Sequence, residues 1–144
     1  MDRKLDIRNE FPRPEYLEGA APLPLERLLA MVGHLGGALT CFVVPTLLYV
    51  TQRDKSAFVV RHACEALNHQ ITLGFTVLLV CALIAGIPAV AHDWRWSLVV
   101  ALAALLAVAL LVLFLEIHLV IRACQAAWKG RDFRYPLTLR LIRP

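Results

Sequence analysis

Residues 97–121, SLVVALAALLAVALLVLFLEIHLVI, form an apolar run interrupted only by Glu116 and His118 near its end. A helix needs about 20 residues, at ~1.5 Å each, to cross the ~30 Å hydrocarbon core of a bilayer. This run is long enough. A soluble chain of 144 residues lacks the interior to hide such a helix, because small proteins bury too little of their surface. Mean hydropathy is +0.64 and charged residues make up 18% of the chain, so the whole sequence reads as a membrane protein.

Two further apolar segments precede it. Residues 28–50 are long enough to span, but Gly33, Gly36, Gly37 and Pro45 predict a bend or break and allow close helix packing. Residues 71–91 make another span, entered through the polar stretch 58–70. Together these two stretches would form a helix of roughly 50 Å, longer than the hydrocarbon, so the polar part must project, bend or lie in the interface. Trp94 and Trp96, in a short turn after the second span, read as an interfacial anchor. Gly130 is positioned to end the third helix, with Trp128, Lys129 and Arg131 marking the membrane surface.

The expected architecture is therefore an all-α membrane protein, a three-span helical bundle with a long second helix whose cytoplasmic entry is amphipathic. Residues 1–24 form a polar N-terminal tail and 25–142 the membrane domain; spans lie at about 28–50, 71–91 and 97–121, the amphipathic helix at 58–70, and a cytoplasmic tail at 129–144. The first 30 residues mix acids, bases and prolines and do not read as a cleavable signal peptide.

With three crossings, the 51–61 loop and the tail share one side with nine Lys/Arg, against six opposite. That bias puts loop and tail in the cytoplasm of a bacterial inner (plasma) membrane, with the N-terminus outside. A re-entrant first segment would sharpen the contrast to 14 against 1 and move the N-terminus to the cytoplasmic side. The charge of +4 is too diffuse to indicate nucleic acid. The expected partners are the lipid bilayer and other membrane proteins or further copies of the chain.

On a helical wheel Arg61, Glu65, Asn68 and Thr72 share one stripe, flanked by His62 and His69, while Cys64, Leu67 and Ile71 face away. This polar surface either satisfies its own groups or meets another chain. His34, Glu116, His118 and Arg122 lie in or beside apolar runs, where ionisable groups carry functional weight and seek partners. If the second and third spans turn near Trp94, Glu65 comes level with Arg122, and Glu116 with Asn68 and Thr72. The alignment predicts a Glu65–Arg122 pair and hydrogen bonds from Glu116 to the second helix.

His62, Glu65 and His69 could offer three zinc ligands at i, i+3 and i+7, but the spacing is not HExxH and no fourth ligand is evident, so no metal and no cofactor is expected. The four cysteines show no CxxC spacing and read as small apolar residues. Without a GxSxG, a P-loop or a GxGxxG, the chain is not expected to be an enzyme.

Two separated blocks, RDKSAFVVRHACEALNHQIT and FRYPLTLRLI, with ERLLAMVGHLGG before the first span, resemble a widespread bacterial family of small integral membrane proteins. That family is itself similar to the twenty-kilodalton subunit of the chloroplast inner-envelope (TIC) protein-import translocon. The matching positions include Phe58, His62, Glu65, Asn68, Gln70, Arg134, Tyr135 and Pro136; His69 departs from the pattern, and Glu116 lies outside both blocks. The resemblance implies a non-enzymatic, translocon-like accessory or scaffold component of a membrane assembly. The alternative is an oligomeric channel or transporter component with a polar path through Glu65, Asn68, Glu116 and His118.

Overall fold

Four helices, α1 (Pro24–Thr40), α2 (Val43–Gln52), α3 (Ala57–Val90) and α4 (Trp94–Trp128), followed by an irregular tail, make up the computed structural model. It describes residues 21–90 and 94–144, with backbone alone at 87–90; the expected N-terminal tail up to residue 20 and residues 91–93 of the turn lie outside the described residues.

The first apolar segment is not a single helix. It folds back on itself, and the residues at the break explain why. Thr40 donates its hydroxyl to the Gly36 carbonyl (2.6 Å) and accepts the Val44 N–H (3.2 Å), so one side chain closes α1 and opens α2. Between them Cys41 sits at φ 56° and ψ −108°, a conformation no helix can continue through. Gly33 then faces Leu48, Gly36 faces Val44, and Gly37 faces Pro45. A side chain at Gly36 would overlap Val44, so this glycine permits the close crossing. The expected third span is thus not confirmed: a helical hairpin of α1 and α2 stands in its place. α2, with 10 residues or about 15 Å, is too short to span.

Among the described residues, two helices, α3 and α4, are long and apolar enough to cross a membrane. Pro24 occupies the first turn of α1, and the Glu26 carboxylate accepts the Leu23 N–H at 2.8 Å. Ser56 caps α3 by accepting the Val59 N–H at 3.3 Å. α4 ends at Gly130 (φ 68°) in a Schellman motif, with Arg131 N–H donating to the Ala126 carbonyl (2.9 Å) and Gly130 N–H to Ala127 (3.0 Å).

The start of α1, the start of α3 and the end of α4 meet at one end of the bundle, where Ala30, Phe58 and Ala127 pack together. Leu48, Val59 and Ala63 join α2 to α3 beside them. The protein core therefore sits at that end. From about residue 74 onward α3 turns Phe75, Leu78, Leu79 and Leu83 outward, as α4 does Leu106, Leu110 and Phe114.

Candidate functional site

The tail organises the polar end. It descends along the stripe of α3, turns at Pro136–Thr138 with Leu137 at φ 55°, and returns. Each member of the stripe has a tail partner. Arg61 pairs with Asp132 at 3.0 Å, and Glu65 accepts from Arg140 Nε at 3.2 Å and from the Tyr135 N–H at 3.4 Å. Thr72 accepts the Leu139 N–H at 3.0 Å.

Asn68, fully buried, does most. Its Oδ1 accepts the Leu141 and Ile142 N–H groups (3.0 and 2.8 Å), and its Nδ2 donates to the Ile142 carbonyl (2.8 Å). The side-chain amide thus pairs with Ile142 as a neighbouring strand would. These backbone groups belong to an irregular segment with no helix or sheet to satisfy them, which explains why the stripe carries acceptors at these positions.

The expected Glu65–Arg122 pair does not form: Glu65 binds Arg140, and Arg122 is exposed on α4. The hairpin alignment left the tail out of account, and it is the tail that supplies the partner Glu65 takes. Glu116 does bond to α3, through His69 Nε2 (2.7 Å) and Gln70 Nε2 (2.8 Å) rather than Asn68 or Thr72. His69 also lies flat on Tyr135, with ring centroids 3.9 Å apart and planes 6° from parallel. An aromatic ring at position 69 would stack equally well; the imidazole adds a bond to Glu116. The residue that departs from the resembled pattern therefore meets one that lies outside it.

Behind Tyr135 is a second buried chain of polar groups. Its hydroxyl lies 3.1 Å from His34 Nδ1, and His34 Nε2 lies 2.8 Å from His62 Nδ1. His34 and His62 are both about 1% exposed. Burial, and secondarily the charges of Glu116 and Glu65, push the Tyr135 hydroxyl above its usual range, so it stays a protonated donor.

That sets the polarity of the chain. When Tyr135 donates to His34 Nδ1, the neutral His34 carries its proton on Nε2 and donates to His62 Nδ1. The proton of His62 then sits on Nε2, an atom that is buried and has no hydrogen-bond partner. The opposite polarity would strand the Tyr135 proton as well as the His62 Nε2 lone pair, and each stranded buried group costs about 1–3 kcal/mol. The single-orphan arrangement wins.

His62, Glu65 and His69 do not converge, since they bind His34, Arg140 and Glu116 respectively. His118 is exposed, whereas Glu116 is turned inward to α3. Arg134 and Pro136 are exposed beside buried Tyr135. His34 mattered more than its place in an apolar run suggested, as the link between α1, α3 and the tail. Two roles lie outside the sequence reading: Ser56 before an apolar run is a legible helix cap, while nothing in the sequence marks Asp132 as the partner of Arg61.

Residues 25–142 match the family described as the magnetosome magnetite crystal formation protein family. The chain belongs to that family. No curated protein and no solved structure matches it. The expected likeness to the chloroplast import translocon thus has no support, while a small bacterial membrane-protein family does.

Proposed function

We propose that this member of the magnetosome family is a non-enzymatic accessory protein of the membrane in which magnetite crystals form, acting as a scaffold within an assembly there. The observation that carries this reading is the use of its polar groups. Asn68, Glu65, Glu116, His34 and Tyr135 are engaged within the chain, tying the tail to α3 and α1, and α4 to α3, rather than lining an open path. Two crossing helices also enclose no pore by themselves.

The hairpin supports a topology with both ends of the membrane domain on one side. Ten described basic residues, from Arg27 to Arg143, belong to that end, against Arg95 at the other. The positive-inside rule assigns the basic end, with the 51–61 loop and the tail, to the cytoplasm. α4 is about 50 Å long and carries tryptophans at both ends. Modestly tilted, it matches the ~40–45 Å of a bilayer including its headgroup regions.

The test is complementation in a magnetite-forming bacterium lacking this gene, with crystal dimensions measured by electron microscopy. Wild type should restore crystal size and Asn68→Ala should not, even where the variant reaches the membrane. The purified protein in liposomes should pass neither ions nor small solutes. Flux that Glu116→Gln abolishes would replace the scaffold reading with a transport one.

A further inference from the structure

A cavity of about 310 Å³ opens between the first turns of α3 and the returning tail. Arg61, Arg134, Arg140 and Arg143 line it, together with the carboxylates of Glu65 and Asp132. Both carboxylates are already committed, Asp132 to Arg61 and Glu65 to Arg140. Among the described residues Arg134 and Arg143 have no acidic partner. The lining is therefore net positive, and two guanidinium groups are unspent.

The second observation is independent of the arginines. His62 also lines this cavity, about 1% exposed, with its Nε2 buried and unpartnered. The Arg131 carbonyl and the Asp132 carboxylate lie near the ring and favour a proton on it, while Nε2 itself has no hydrogen-bond partner. The polarity set by Tyr135 makes Nε2 a donor, not a lone pair. A metal cation would need the lone pair and would face four guanidinium groups. An oxyanion needs what is present: an N–H donor and planar, charged forks that suit phosphate oxygens.

We infer that this cavity is a phosphate-binding site, in which Arg134, Arg143 and the His62 Nε2–H hold the phosphate group of an anionic ligand. It lies at the polar end of the two long helices, so the phosphate can come from a lipid headgroup or from solution. The chemistry of the site is the same for both.

The full chain in detergent tests this with two probes. Native mass spectrometry with phosphatidylglycerol should show one lipid retained per chain, bound about tenfold more tightly than phosphatidylcholine. Calorimetric titration with inorganic phosphate reads the soluble source. Saturable binding of phosphatidylglycerol without inorganic phosphate assigns a lipid headgroup; saturable binding of inorganic phosphate assigns a soluble ligand.

The double variant Arg134→Gln, Arg143→Gln removes no described intrachain hydrogen bond, so it should fold and should lose about tenfold in affinity for whichever probe binds. In nitrogen-15 imidazole spectra the His62 Nε2–H signal should move at saturation in the wild type. Three outcomes overturn the site: no saturable binding of either probe, binding unchanged in the double variant, or a His62 signal that stays put at saturation.

Discussion

Residues 57–73 and 74–86 are two halves of one continuous helix, α3, with opposite patterns of burial. The first half holds Arg61, His62, Glu65, Asn68, His69 and Gln70, yet protein surrounds it: α1, α2, α4 and the tail all pack there. The second half is almost wholly apolar, and its large side chains face outward, Phe75 at 65% and Leu78 at 67% exposure. In a soluble protein this contrast would be inverted. Here the apolar half has hydrocarbon for its surroundings and needs no protein cover. The polar half can be enclosed because its buried groups, His62 Nε2 excepted, find partners in the chain. The protein core of this molecule is its polar part, held by hydrogen bonds whose partners come from far along the sequence.

Removing the residue with most of those bonds should have the largest effect. Asn68→Ala deletes three hydrogen bonds to the tail and strands the part-buried N–H and carbonyl of Ile142. At a net ~1 kcal/mol per bond plus the orphan penalty, the loss should be about 3–4 kcal/mol. Chemical unfolding in mixed micelles measures it. Limited proteolysis should in addition cut the tail near residue 140 in the variant and not in the wild type.

Glu116→Gln should rank next. The substituted amide keeps an oxygen for Gln70 but replaces the carboxylate that faces His69 at 2.7 Å. Hydrogen bonds to charged groups contribute about 1.5–3 kcal/mol, so a loss of about 2 kcal/mol is expected in the same unfolding assay. A cost below ~0.5 kcal/mol would mean that the polar half tolerates an unmatched pair, and the comparison would fail there.

How much of this was legible follows the same division. Helix α4 and the second half of α3 were readable as membrane helices because hydrocarbon imposes a composition, and Gly130 as a terminator because it takes a left-handed φ. The stripe Arg61–Glu65–Asn68–Thr72 was also legible, since helical periodicity is local. Its partners were not. The tail has no periodicity, so nothing local says that Arg140, rather than Arg122, would reach Glu65, or that Ile142 would pair with Asn68. The hairpin was half-legible: Gly33, Gly36, Gly37 and Pro45 signalled a break. An apolar window scores alike whether it crosses or returns, and the packing of Gly33 on Leu48 and Gly36 on Val44 that accompanies the return is tertiary.

The turn between α1 and α2 gives a test with the opposite sign. Cys41 adopts a positive φ that suits glycine and strains other residues. It is exposed and the described structure gives its thiol no bond, so Cys41→Gly should relieve strain without losing a contact. A gain of about 1 kcal/mol is expected, read as a raised melting temperature in detergent. A loss would show that the break between α1 and α2 relaxes in the membrane toward the single span its composition permits.

The smallest expected effect probes the outward half of α3 directly. Leu78→Ala removes a large side chain that no protein group covers, so the folded state loses little that the unfolded helix in the same micelle retains. The change in stability should stay below about 0.5 kcal/mol. By contrast Leu67→Ala, in the enclosed half, removes a 4%-exposed side chain and should cost about 2–4 kcal/mol. The pair has value because it can fail in an informative way. If Leu78→Ala is as costly as Leu67→Ala, and the cost falls on dilution of the protein in detergent, the outward face is covered by a second copy of the chain. The apolar half would then be an interface in its own right, and lipid would surround the assembly rather than each α3.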